Sequence, residues 1–220
     1  MASLCRLGTR GSPLALAQAH ETRERLVIVH GLEADAVEIV VIRTTGDAIR
    51  DRPLSEAGGK GLFTRELDAA LLAGGIDFAV HSAKDVPTWL EPGTTLAGYL
   101  PREDVRDALI TRGETSLAEL PHAARVGSAS LRRQAQLRRA RPDLIVGLLR
   151  GNVETRLRKV AQGEFDATLL ALAGLKRLGL ADRARALMPL DGFLPACGQG
   201  AIALGMRTND KRIANLLAPV

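Results

Sequence analysis

Aromatic residues are scarce in this chain. Four Phe, one Tyr and one Trp make up 3% of its 220 residues, so a core has to be built from Leu, Val, Ile and Ala. The hydrophobic fraction of 46% is ordinary for a globular protein and allows that. The scarcity also bears on partners. Single-strand nucleic-acid surfaces interleave basic residues with aromatic stacking groups, and the arginines crowded between Arg125 and Arg158 have no aromatic among them. Nucleic acid is therefore not an expected partner. Cysteine is equally sparse. Cys5 and Cys197 form neither a disulfide framework nor a metal-ligand spacing, and no metal site is expected. No segment reaches the ~18 consecutive apolar residues of a membrane span. The opening stretch, MASLCRLGTRGSP, has no apolar region of the secretory kind. These absences point to a protein of the reducing cytoplasm with no membrane partner.

What is present is a basic chain with alternating structure. Thirty Lys and Arg stand against 25 Asp and Glu, a formal net charge of +5. Such a balance favours an anionic partner without naming it. The length admits two small α/β domains, each with its own core. Residues 4–7 read as a strand and 8–12 as a polar turn. Pro13 suits the first turn of a helix, where its missing N–H is not needed. Leu14, Ala17 and Leu26 fall on one apolar face at helical spacing, and Gly31 is a natural stop. The β-branched run 37–42 reads as a buried parallel strand. Residues 44–61 show no period and hold four glycines, a long loop of the kind that is usually functional or disordered. Helical period returns at 62–72, and 78–81 and 95–100 read as strands. A second series begins after PRED at 101–104. Strands are expected at 108–111, 125–127, 144–149 and 167–171, helices at 131–140 and 153–162, and a last strand across 190–207. This alternation predicts parallel pairing with helices on both sheet faces. No internal repeat of fixed period is visible.

Four places share one design, in which a strand ends, a Gly/Ser/Thr turn follows and a helix starts among basic residues. They are Thr9-Arg10-Gly11-Ser12, His81-Ser82-Ala83-Lys84-Asp85, Gly127-Ser128-Ala129-Ser130-Leu131-Arg132-Arg133 and Leu149-Arg150-Gly151-Asn152. Open α/β sheets bind ligands beyond the carboxyl ends of their strands. Helix N-termini offer unpaired N–H groups to anions, and Arg adds bidentate grips for carboxylate or phosphate. Ser130 reads equally well as a plain helix cap. Taken together, the four turns predict a cleft for an extended polyanion or a small molecule bearing several carboxylates. Asp85 is the acid in this set. It reads either as an ion-pair partner or as a group that exchanges protons with a bound ligand. His81 has apolar neighbours and reads as a packed histidine. Arg138, Arg139 and Arg141 read as a solvated helix face. Gly58-Gly59-Lys60-Gly61 lacks the spacing of a nucleotide phosphate loop.

The stretches LGTRGSPLALAQA, GGKGLFTRELDAALL, DFAVHSAKDVPT, PREDVRDALI, RVGSASLRRQAQL, LLRGNVETRLRK, ATLLALAGLKRLGL and LPACGQGAIAL run collinearly through nearly the whole chain. Together they resemble the porphobilinogen deaminase (hydroxymethylbilane synthase) family. The resemblance implies a transferase that condenses four porphobilinogens head to tail into hydroxymethylbilane, releasing ammonia at each step. It implies a fold of two periplasmic-binding-protein-like lobes of type II, with mixed, mainly parallel sheets around a cleft. The lobes would be 1–100 with 197–220, and 101–196. By similarity Asp85 is the catalytic carboxylate. Arg10, Ser12, Ser82, Lys84, Ser128, Ser130, Arg132, Arg133, Arg150, Gly151, Asn152 and Arg156 fall at positions that grip cofactor or substrate carboxylates. Lys60 matches a loop position over the cleft, and Gln199 a position near the crossover between domains.

The family's dipyrromethane cofactor is held through a cysteine thioether in a third, smaller domain. Neither Cys5 nor Cys197 matches that cysteine, and Cys197, within PACGQG, is expected to be small and buried. The reading is therefore of a chain that lacks the third domain, is inactive by itself and is monomeric. A competing reading is a two-lobed binding protein for a small polycarboxylate, without catalysis.

Overall fold

A computed structural model describes residues 3–48 and 61–220 of the chain. Most of the expected loop at 44–61, including Lys60, lies outside the described residues. The chain divides into two compact units, Met1–Glu103 with Ala201–Val220, and Asp104–Gly200.

The first unit is built on five strands: β1 (Cys5–Arg10), β2 (Val37–Ile42), β3 (Phe78–Ser82), β4 (Thr94–Tyr99) and β10 (Ile202–Arg207). Their order in the sheet is β2-β1-β3-β10-β4. Strand β1 runs parallel to both β2 and β3, and β10 runs antiparallel to β3 and β4. Helices α1 (Pro13–His30), α2 (Thr45–Ala48), α3 (Arg65–Leu72) and α7 (Lys211–Leu217) belong to this unit. Alternation along the strands sorts side chains between the two faces. Leu7, Phe78, Val80, Ile202 and Leu204 join Leu26 and Ile213 in one cluster, while Ala79 turns to Leu67, Leu71 and Ile76 in another.

The second unit repeats this layout with β5 (Asp107–Thr111), β6 (Arg125–Gly127), β7 (Ile145–Gly147), β8 (Ala167–Ala171) and β9 (Ala186–Leu187), in the order β7-β6-β8-β5-β9. Strand β6 is parallel to β7 and β8, and β5 is antiparallel to β8 and β9. Helix α4 (Leu131–Ala140) supplies Leu137 to one face, and α5 (Val153–Ala161) and α6 (Leu172–Arg177) supply Leu157, Val160, Leu172 and Leu175 to the other. In each sheet the strand with antiparallel neighbours on both sides, β10 or β5, is the first laid down after the chain crosses into that unit. The sheets are thus mixed in equal parts: among the described residues four strand pairings are parallel and four antiparallel.

The duplication extends to single hydrogen bonds. In the first unit the Arg6 amide donates to Asp77 Oδ2 at 2.7 Å, the Asp77 amide donates to the Arg6 carbonyl at 2.8 Å, and Arg6 Nη2 donates to the Gly74 carbonyl at 2.8 Å. In the second, Arg125, Asp166 and Gly163 make the same three bonds at 2.7, 2.8 and 2.8 Å. The repeat is invisible as a sequence period because it lies in geometry rather than in identity: GGIDFAV and GEFDATL share little but the glycine, the acid and an apolar strand.

Several expectations are corrected. Strand β1 runs through to Arg10 where a turn was expected from residue 8. Gly8 is a packing residue, since a Cβ there would meet Ile76 Cδ1 at 2.2 Å and Leu67 Cδ2 at 3.2 Å. On α1 the buried face is Ala15, Gln18, Ala19, Thr22 and Leu26, and Leu14 and Ala17 are only half-buried. Two polar residues fit that face because both are bonded: Gln18 to Ser82 Oγ at 3.0 Å and Thr22 Oγ1 to the Gln18 carbonyl at 2.8 Å. Strand β2 is an edge strand, with Val41 51% exposed. The last strand starts only at Ile202, because Gly198 and Gly200 adopt positive φ (71° and 90°) and break the extended run. Arg141 is not a solvated residue. Its guanidinium donates to the carbonyls of Leu117, Ala118, Leu120 and Pro121 and pairs with Asp143 at 2.6 Å. Cys197 is exposed rather than buried.

Candidate functional site

Parallel pairing puts the carboxyl ends of β1 and β3 on one edge of the first sheet, and the turns that follow them meet there. Ser12 caps α1, accepting from the Ala15 amide at 3.3 Å. Thr9 Oγ1 tightens the same turn by donating to the Ala15 carbonyl at 3.1 Å. Ser82 is held by the Gln18 side chain. Beyond it a 3₁₀ turn, Ala83–Asp85, carries exposed Lys84 and half-buried Asp85. Arg10, at the end of β1, lies 3.9 Å from Asp85 Oδ2. Its guanidinium carbon also stands 4.0 Å from the centre of the Phe63 ring, a cation–π geometry. His81 is buried below, its pKa pulled down to about 4 by burial and by the nearby Arg10 charge. It is therefore the packed, neutral histidine expected from its apolar neighbours.

The second sheet has the matching edge. After β6, Ser130 caps α4 by accepting from the Arg133 amide at 3.4 Å, and Ser128 Oγ accepts from the Ser130 amide at 3.2 Å. After β7, Asn152 caps α5 by accepting from the Thr155 amide at 2.9 Å. Arg156 Nε donates to the Gly151 carbonyl at 2.9 Å. Gly151 has φ 109°, and a Cβ on it would meet Thr155 Cγ2 at 2.7 Å, so this turn needs glycine twice over. The Ser128 amide donates to the Gly147 carbonyl at 2.9 Å, and Leu149 packs against Gly127. The two turns, the second of which carries Arg150, therefore sit side by side.

Arg132, Arg133 and Gln199 converge on Asp107, which lies in the PREDVRDALI stretch but was given no role of its own. Asp107, 1% exposed, accepts from Arg133 Nη2 at 2.6 Å and Gln199 Nε2 at 2.8 Å on Oδ1, and from Arg132 Nη2 at 2.7 Å on Oδ2. Burial pushes the Asp107 carboxyl up, but the two guanidinium groups outweigh it and hold the pKa below the ordinary carboxylate value. Arg133 is an interior residue, also donating to the Leu169 carbonyl at 3.0 Å. Gln199 also bonds the Val105 carbonyl at 2.7 Å. The signal in the sequence was an acid opening an apolar strand, Asp107-Ala-Leu-Ile. Such a buried charge requires partners. Phe63, in the run Gly61-Leu62-Phe63-Thr64-Arg65, carries no local signal that it would stack on Arg10.

The chemistry at both edges is therefore guanidinium groups, hydroxyls and helix N-termini, with Asp85 close to Arg10 at the first and the buried Asp107 beneath Arg132 and Arg133 at the second. Among the described residues there is no cluster of His, Cys, Asp and Glu able to hold a metal ion, and no helix is long and apolar enough to cross a membrane. The family described as "Porphobilinogen deaminase, dipyromethane cofactor binding domain" matches residues 5–215.

This chain belongs to the porphobilinogen deaminase family. It is 62% identical over 210 residues to a porphobilinogen deaminase of Nitrobacter winogradskyi, covering 96% of this chain and 66% of the relative. It is 59% identical over 218 residues to the chloroplastic porphobilinogen deaminase of Oryza sativa subsp. japonica, covering 98% and 61%. It thus spans about two thirds of the length of such relatives. Among solved structures, a nutrient-binding protein from Burkholderia cenocepacia bound to methionine matches with TM-score 0.56 at 15% identity, covering 97% of this chain and 90% of that one. An ABC-transporter periplasmic substrate-binding protein from Coxiella burnetii matches with TM-score 0.56 at 16% identity, covering 97% and 90%. At such identities the likeness concerns the fold: two α/β lobes of the periplasmic-binding type. Of the family's chemistry, this chain carries two cysteines, neither at a cofactor-attachment position.

Proposed function

We propose that the chain takes part in the stepwise head-to-tail condensation of porphobilinogen to hydroxymethylbilane, with release of ammonia at each addition, and that Asp85 is its catalytic carboxylate. The observation that carries this reading is the Arg10–Asp85 pair at the joined carboxyl ends of β1 and β3, in a chain 62% identical to a porphobilinogen deaminase. Asp85 is the acid paired with Arg10 at this edge. As the aminomethyl C–N bond of porphobilinogen breaks and ammonia leaves, positive charge develops on the pyrrole. A carboxylate facing the pyrrole N–H groups stabilises that charge. It is also placed to take part in the proton transfers of ring coupling. Arg10, held between Phe63 and Asp85, keeps the carboxylate oriented.

Each pyrrole bears an acetate and a propionate, so a growing chain is a polyanion. Each unit carries its own hydroxyls, amides and cations for such carboxylates: Ser12, Ser82 and Lys84 on the first, and Ser128, Ser130, Arg132, Arg150, Gly151, Asn152 and Arg156 on the second. Lys60 is assigned a contact of the same kind on the family pattern. Arg133 and Gln199 support this set from within, through Asp107.

A dipyrromethane cofactor would add a covalently held pyrrole end that serves as primer for the first condensation. Its carboxylates suit the Ser128–Ser130 and Arg150–Asn152 turns and Arg132. Its thioether does not suit Cys5, which is 1% exposed with burial pushing the thiol up to about 11.

The experiment is incubation with porphobilinogen, acid oxidation, and absorbance of the porphyrin formed: the chain by itself is expected to yield little or no porphyrin, and this sequence carried in a protein of its relatives' full length is compared with and without Asp85→Asn. Loss of product in the variant, with porphobilinogen still bound, is the expected result. Binding with no product from either full-length protein would favour the second reading, a polycarboxylate-binding protein, which rests on the fold shared with binding proteins.

A further inference from the structure

Asp107 opens β5 and pairs with Ala171, the last residue of β8. That register places it at the edge of the second sheet where β6 ends and the Ser128–Ser130 turn begins. A carboxylate buried inside a sheet is costly unless it is paired and hydrogen-bonded. Arg133 and Gln199, 7% and 1% exposed, already meet that need on Oδ1. Oδ2 does something else. It binds Arg132, whose side chain is 25% exposed, through Nη2 at 2.7 Å. Arg132 Nη1 donates to the Leu194 carbonyl. Both terminal nitrogens are anchored, and a guanidinium has five N–H groups, so three remain for a ligand. Two arginines on one aspartate also leave net positive charge at the edge.

We propose that Asp107 is a positioning residue: it fixes the plane of the Arg132 guanidinium so that the remaining N–H groups meet a carboxylate of the bound pyrrole chain. This rests on the reading given under Proposed function. The two oxygens of Asp107 divide the work. One seats the interior arginine and the other aims the outer one. Holding the guanidinium in advance removes the cost of ordering a long, flexible side chain when the ligand arrives.

The test is a double-variant cycle with porphobilinogen as the probe, using calorimetric affinities for the chain and for Asp107→Asn, Arg132→Gln and the double variant. Each single variant should bind about tenfold more weakly, the scale of one charge-assisted hydrogen bond. The double variant should bind no more weakly than Arg132→Gln. Equal further loss from Asp107→Asn in the Arg132→Gln background would mean that Asp107 acts through the fold alone and would overturn the proposal. Should Asp107→Asn not fold, Arg132→Gln decides, because undiminished binding there is incompatible with it. A second arm needs no ligand. Arginine side-chain NMR should show slow rotation of the Arg132 guanidinium in the chain, and fast rotation when Asp107 is replaced by Glu or Asn. Fast rotation in the unaltered chain overturns the proposal. A chain that fails to bind porphobilinogen at all counts against the proposed function, and the NMR arm then settles the role of Asp107 separately.

Discussion

Arg133 Nη2 lies 2.6 Å from Asp107 Oδ1 with both side chains in the interior, 7% and 1% exposed. The pair is a stability determinant before it is anything else. Removing one partner of a buried ion pair strands the other charge, at a cost of about 3–5 kcal/mol. Asp107→Ala is expected to lower the unfolding free energy by that amount, with Arg133 and Arg132 both losing their carboxylate. Urea denaturation followed by circular dichroism measures it. A loss below about 1 kcal/mol, the range of surface pairs, would show that the pair does not hold the second unit together.

Gly151 should tolerate no side chain. Its φ of 109° and the 2.7 Å separation that an added Cβ would have from Thr155 Cγ2 both oppose alanine. Gly151→Ala is expected to cost roughly 1–3 kcal/mol and to loosen the Asn152 cap next to it. Gly179→Ala makes a useful comparison. Its φ is 67°, but nothing lies within 4 Å of an added Cβ, so backbone strain acts there without a clash and the loss should be smaller. Thermal unfolding of the two variants side by side measures the difference.

His81 links stability to pH. An unfolded histidine titrates near 6.5, and burial with the Arg10 charge pulls folded His81 down to about 4. Between those values the unfolded chain binds the extra proton, so stability rises with pH across that window. The contribution is complete above about 6.5 and is lost as pH falls to about 4, on the order of 3 kcal/mol in all. His81→Gln should flatten that part of a plot of unfolding free energy against pH. An unchanged slope would point to other titrating groups.

Asp85→Asn separates chemistry from binding. Under the proposed function, in a protein of the relatives' full length, it should reduce porphyrin yield by about 100-fold or more, the usual contribution of a positioned acid or base, and change porphobilinogen affinity far less. Equal losses in both would make Asp85 a binding residue.

The two thiols should behave differently. Cys5 is buried with its pKa raised to about 11, and Cys197 is exposed. Since the thiolate is the reactive form, iodoacetamide at mildly alkaline pH should modify Cys197 in the folded chain and Cys5 only after unfolding. Peptide mass mapping reads this out, and rapid native labelling of Cys5 would contradict the burial described.

Much of the architecture could be read from local pattern. Helix α4 and strands β6 and β8 have the bounds expected from their periodicity, and Pro13 and Gly31 mark the ends of α1 for the backbone reasons expected of them. Errors fell where tertiary partners decide. Gln18 and Thr22 are polar and carry no core signal in the sequence, yet their bonds to Ser82 and to the helix carbonyl let them be buried. Val41 looked like a core residue, but β2 is an edge strand, and sheet order is not written in any one strand. Arg132 and Arg133 are adjacent and chemically identical, and the sequence placed both at the ligand. Only the fold distinguishes the one facing inward from the one left partly exposed.

By itself the sequence determined the family, the alternation of strands and helices, and the set of basic turns, because these depend on residue type and short-range spacing. The tertiary structure decided which of those residues meet. It brought Arg10 to Asp85 from a distant part of the chain, gathered Arg132, Arg133 and Gln199 on Asp107, and repeated the Arg6–Asp77 clamp as Arg125–Asp166. Those juxtapositions come from strand order and from parallel pairing that aligns carboxyl ends. Both are properties of long-range contacts, which no local window of sequence contains.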